Sequence, residues 1–236
     1  MFRKTTTLLC LLMSTAMLCA QQFDLNDIKY ELWTEEHAYP ARWVTTGDTL
    51  ETFVAENGGI VYKIDGYYVM SEEVSQDLWH YYMGYNPSTV KGSLLPVTNV
   101  TAEAIDSFCT YLSERTGFEW RLPTLAVWSL AYHGGIFSEG YRYCGSNRAE
   151  WSGWTRENSG GVPHAIGQKI ANEVNMYDMM GNVAERVIDN GKVCFVGGSF
   201  ADPAATTITR TDEERPDEQG FRLVVHMPMT FMDTGI

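Results

Sequence analysis

The 236-residue chain is 44% apolar and 13% aromatic, a size and composition that fold as one domain burying roughly 70–75% of the unfolded surface. Disorder and fibrous repeats are thereby excluded. Seventeen Lys and Arg against thirty Asp and Glu give a formal charge of −13, which repels phosphate backbones and anionic bilayers and argues against a nucleic-acid partner.

Residues 1–20 read as an export segment: Arg3 and Lys4, an uncharged run from Leu8 to Leu18, then Ala20 ahead of Gln21. Cleavage after Ala20 is expected, giving a periplasmic or cell-surface protein. The rival is lipid anchoring at Cys19, which the bulky Leu18 disfavours. No later stretch approaches the ~20 apolar residues of a membrane span. Residues 21–52 are polar and read as an N-terminal arm with one strand, and 53–236 as the domain proper. Ile60 to Ile64 and Tyr67 to Val69 are β-rich runs whose junction, Asp65-Gly66, is a hairpin signal. Ser71-Glu72-Glu73 predicts a helix that ends near Gly84. Thr101 caps a second helix with a continuous apolar stripe through Ile105, Phe108, Cys109 and Leu112 until Gly117. A third runs from Leu125 to His133. Residues 136–175, rich in Gly, Ser, Asn and aromatics, carry no periodicity, and so long an irregular stretch is usually functional. Strands are predicted at Lys192 to Val196 and Gly220 to Val225.

Cleavage would leave three cysteines, Cys109, Cys144 and Cys194, which allow at most one internal disulfide. Cys109 fits the helix stripe. Cys144 and Cys194 are therefore the candidate pair. His80, His133, His164 and His226 show no metal-ligand or catalytic-triad spacing.

A series of short motifs then occurs in order: Tyr68 to Gln76, Met83 to Ser88, Pro96 to Val100, Arg121-Leu122-Pro123-Thr124, Gly145-Ser146-Asn147, Asn158 to Gly161, Tyr177 to Val183, Gly197-Gly198-Ser199-Phe200 and Gly220-Phe221-Arg222-Leu223. The series resembles the formylglycine-generating enzyme family, also called the sulfatase-modifying factor domain. The resemblance implies an α+β, C-type-lectin-like fold, low in regular structure, with two to three short helices and a small antiparallel sheet. In catalytic members a cysteine pair follows the Gly-Gly-Ser-aromatic motif and holds the copper ion that activates oxygen. Counted from Phe200, those places hold Asp202 and Thr207, hard ligands where Cu(I) selects soft sulfur. Copper is therefore not expected. The resemblance also implies a calcium site near Asn182 and Glu185, and Asp178 is spaced so that all three oxygens can converge; such hard donors suit calcium.

Arg222 either clamps an anionic ligand or ties loops together through its five donors. Trp120 and Trp128 flank matched motifs and are expected in the core. Trp151 and Trp154 are either core or a binding platform. Two functions of different class remain. One is an exported, non-catalytic member that binds a protein or glycan of the cell envelope. The other is an oxidase converting a sulfatase cysteine to formylglycine.

Overall fold

The computed structural model describes residues 30–33, 38–54, 60–206, 209–226 and 229–233. The export segment with Cys19, and Thr207, lie outside the described residues.

The strands are β1 (Tyr30–Trp33), β2 (Ala38–Val54), β3 (Ile60–Met70), β4 (Trp120–Arg121), β5 (Ala184–Asp189), β6 (Lys192–Val196), β7 (Gln219–Gly220), β8 (Val224–His226) and β9 (Met229–Asp233). The helices are α1 (Gln76–Met83), α2 (Ala102–Thr116), α3 (Leu125–Tyr132) and the single turn α4 (Ala149–Ser152). One sheet runs β1-β2-β3-β8-β4, with β9 also on β3, and a smaller one runs β6-β5-β7. The mixed architecture agrees with the expected α+β fold. One pairing departs from the antiparallel expectation: β5 and β7 are parallel, Glu185 lying opposite Gly220.

Two sequence expectations shift. The segment read as an arm carries β1 and most of β2, paired antiparallel into the sheet. Asp65-Gly66 makes no hairpin, because β3 runs unbroken through it. The irregularity is instead taken up by β2, whose register slips between Thr45 and Leu50 opposite this dipeptide, in the manner of a bulge.

The central β3 and β8 pair separates two cores, and the two-residue strand period assigns the side chains. Tyr68, Met70 and Val225 point to one side, where Leu223 and Phe221 join Trp79 of α1 and Phe108 and Leu112 of α2. Val69 and Val224 point to the other, against Trp128 of α3, Met176, Met179 and Met180, Val187 of β5 and Val196 of β6. Trp79 stacks on Phe108 with ring centroids 5.2 Å apart. Full burial of one such side chain stabilises by about 1.5–3 kcal/mol, so each helix is held chiefly by its inward face.

Helix ends follow local chemistry. Thr101 and Thr124 cap α2 and α3 by accepting from the backbone N–H of Ala104 and Val127. Gly84 and Gly117 end α1 and α2 in the left-handed region, at φ +74° and +75°, where glycine carries no Cβ penalty. The start of α1 falls later than its sequence suggests. Ser75, not Ser71, is the cap, and Glu73 is withdrawn into the interior.

Candidate functional site

The family motifs converge on a buried polar knot. Arg222, just beyond β7, is wholly buried and directs every guanidinium nitrogen to a partner. Its Nε and one terminal nitrogen donate to Glu185 Oε2 and Oε1 at 2.7 and 2.6 Å. The terminal nitrogens also donate to the carbonyls of Met70, Ser71 and Tyr177 at 2.8–3.0 Å. Glu185 is aligned for this by the parallel register of β5 on β7, and Trp128 Nε1 donates to its Oε2 at 2.7 Å. A bidentate, fully satisfied pair is the arrangement in which buried charge is tolerable. Arg222 therefore ties strands and loops together and is closed to ligand, which corrects its reading as a binding residue.

Glu73 enters the same knot, accepting from Asn182 Nδ2 at 2.6 Å and the Val183 N–H at 3.1 Å. Burial pushes its carboxyl well above the usual range, with the charges of Asp178 and Glu185 adding to the rise and Arg222 opposing it. Asp178 holds the Gly167 N–H with Oδ2, while Oδ1 is buried without a partner. Burial raises its pKa to about 6. Asn182, at φ +54°, accepts the His164 N–H on Oδ1.

These bonds engage the oxygens expected to face calcium. The oxygens of Glu185 already take three donors and Asn182 Oδ1 a fourth, leaving only Asp178 Oδ1 without a partner. Among the described residues no group of three His, Cys, Asp or Glu could hold a metal ion. Glu185 and Asn182 are thus engaged in the network around Arg222 and Glu73, and Asp178 Oδ1 is the buried oxygen among them without a partner.

Asp202 belongs to a second, shallower cluster. Its carboxylate accepts two bonds from Arg215 at 2.9 and 2.8 Å and one from the Ser199 N–H at 2.9 Å. Arg215 also reaches Glu218 at 2.6 Å. Partial burial pushes the Asp202 carboxyl upward, but the Arg215 bonds together with those from Ser199 outweigh it and hold the carboxyl below its ordinary pKa. The site does not fit a copper ion, because this hard carboxylate is already neutralised by a guanidinium.

All three described cysteines are free and buried. The candidate pairing of Cys144 with Cys194 is thus not made. Both sulfurs pack as apolar groups in the Trp128 core, and Cys109 lies in the other core. Burial lifts the Cys109 and Cys144 thiols to about 12 and raises that of Cys194, so none is a ready thiolate.

The tryptophans divide. Trp120 and Trp128 are core residues, as expected. Trp154 is half-buried, with His164 stacked on it at 3.8 Å between centroids and Lys169 Nζ 3.7 Å from its centroid. Two groups that close to one centroid cannot share a face, so both faces of Trp154 are covered and it offers no platform. Trp151 is 49% exposed, with the Arg148 guanidinium 4.3 Å over its ring. Sequence reasoning missed Glu73, whose only signal was an acid two residues after a serine, which reads equally as a helix start.

Residues 32–227 match the sulfatase-modifying factor enzyme 1-like domain, and the chain belongs to that family. Chaperone protein LppX of Paenibacillus barcinonensis is 29% identical over 172 residues, covering 52% of this chain and 61% of the relative's length. Among solved structures, Treponema denticola variable protein 1 superposes with a TM-score of 0.67 at 21% identity, covering 84% of this chain and 98% of its own. PvdO from Pseudomonas aeruginosa gives 0.56 at 18%, covering 80% and 92%. These likenesses share the fold. No helix among the described residues is long and apolar enough to cross a membrane.

Proposed function

We propose that this chain is an exported, non-catalytic member of its family that acts as a protein-binding module of the bacterial cell envelope. The observation that carries the reading is Asp202. By the family resemblance it stands where a catalytic member has its first copper-binding thiolate, and here its carboxylate is clamped by Arg215 and Ser199. The burial of Cys109, Cys144 and Cys194 with raised pKa values supports it, since a substitute thiolate would need access and charge. A relative named as a chaperone supports binding to protein. Purified, reduced protein is expected neither to retain Cu(I) against a competing chelator nor to convert a Cys-x-Pro-x-Arg peptide in the presence of oxygen. Turnover that disappears in Cys194→Ser would establish the oxidase instead. Export is checked separately, by an intact mass that begins at Gln21.

A further inference from the structure

Three segments low in regular structure, 88–95, 141–153 (with the turn α4) and 158–172, are linked by hydrogen bonds. The Ile166 N–H donates to the Leu94 carbonyl at 2.9 Å, the Ile170 N–H to the Trp151 carbonyl at 3.1 Å, and Lys169 Nζ to the Glu150 carbonyl at 2.7 Å. Five of the nine large apolar side chains exposed among the described residues lie on these segments: Val90, Leu94, Trp151, Val162 and Ile170, with Leu94 the most open at 62%. A concentration of exposed apolar groups of this kind marks an interaction surface.

The charge of the same segments runs against the rest of the molecule. They carry Lys91, Arg142, Arg148 and Lys169 against Glu150 alone, in a chain of formal charge −13. Arg142, Arg148 and Lys169 each lie over an aromatic ring, that of Tyr143, Trp151 and Trp154. These linked segments thus carry exposed apolar groups together with cations, a combination that suits a protein partner. They offer a sugar little aromatic surface. Trp154 has neither face free, Trp151 has a guanidinium on one, and the other large apolar side chains exposed there are aliphatic.

We propose that this face docks an acidic polypeptide segment of a partner protein, its apolar side chains seated against Leu94, Trp151 and Ile170 and its carboxylates on Arg142, Arg148 and Lys169. The inference rests on the binding-module reading and names its ligand class. Complementary charge sets encounter rate and register, while the apolar anchors supply affinity.

The test uses the full chain, immobilised and panned against a displayed random dodecapeptide library, with polygalacturonate as a carbohydrate probe. Selected peptides should interleave Asp or Glu with Leu, Phe or Ile. Their binding should weaken at least tenfold in Leu94→Asp and in Trp151→Ala, and in Lys169→Glu to an extent that shrinks at high salt. These residues lie at or near the surface, so far-UV circular dichroism and melting should match wild type. Enrichment of basic peptides, no enrichment, retention of binding in both apolar variants, or capture of polygalacturonate alone would each overturn the proposal. An inactive peptide-oxidation assay alongside any of these leaves the non-catalytic reading standing, so the two failures are told apart.

Discussion

Two arginine–carboxylate pairs, built from the same groups, sit in opposite environments. Arg222 and Glu185 have side chains 0% and 1% exposed, with every donor satisfied. Arg215 and Asp202 are 25% and 20% exposed, and Arg215 Nε has no partner. The first joins three family motifs and the second two loops. The contrast teaches that the motif residues of this fold meet at the deep pair, which organises the interior, whereas the shallow pair fastens two loops at the surface.

The sharpest way to break the contrast is to remove one partner from each pair. Glu185→Ala strands a buried guanidinium and is expected to cost about 3–5 kcal/mol, a large part of an ordinary domain's total stability, seen as a drop in the urea midpoint.

The next effect is in pH. The folded pKa of Asp178 is raised from 3.8 to about 6, so the native state holds a proton that the unfolded chain has released. Stability is therefore greatest below about pH 4 for this group and declines as pH rises toward 6. At roughly 1.4 kcal/mol per pKa unit, the decline amounts to about 3 kcal/mol at most. Asp178→Asn keeps the acceptor for Gly167 and should flatten that part of the stability profile relative to wild type. An unchanged profile would show that Asp178 does not carry the proton.

Asp202 has the opposite sign. Its lowered pKa contributes stability above the ordinary aspartate value, lost as pH falls below about 3.8. Asp202→Ala should cost about 1–2 kcal/mol, with the loss reduced in high salt. The smallest effect belongs to Glu150, whose ion pair with Arg148 is exposed on both sides. Glu150→Ala should leave the urea midpoint at the wild-type value. A Glu150 effect equal to that of Asp202 would remove depth as the deciding variable.

Much of the fold was legible because its signals are local. Thr101, Gly117 and Thr124 mark helix ends by their own hydrogen-bonding and backbone preferences, and the apolar stripe of α2 is the face that packs on Trp79 and Phe221. What escaped depends on partners distant in sequence. Ser71-Glu72-Glu73 has the composition of a helix start, yet Glu73 is drawn inward by Asn182 and Val183, more than a hundred residues away. Asp178, Asn182 and Glu185 have spacing that suits a cation, and in the fold Glu185 is spent on the guanidinium of Arg222, Asn182 on Glu73 and Asp178 on the Gly167 N–H, partners that no local spacing reveals. Trp151 and Trp154 are alike in sequence, and only the folded positions of His164 and Lys169 separate them.

The crossing of residues 153–154 with 180–181 bears on which residues the loop beyond it can accept. A Cβ on Gly153 would lie 1.8 Å from the Met180 carbonyl oxygen, and one on Gly181 would lie 2.1 Å from that of Trp154. The two segments touch through bare backbone, and the Asn182 N–H donates to the Trp154 carbonyl across the contact at 2.7 Å. Farther out, the positions of Gly160 and Gly161 have open space around them. The foot of the loop is thus closed to any side chain by contact, whereas at its tip Gly160 and Gly161, at φ +69° and +80°, are held to glycine by backbone conformation alone, so the same residue type is required at the two ends for different physical reasons.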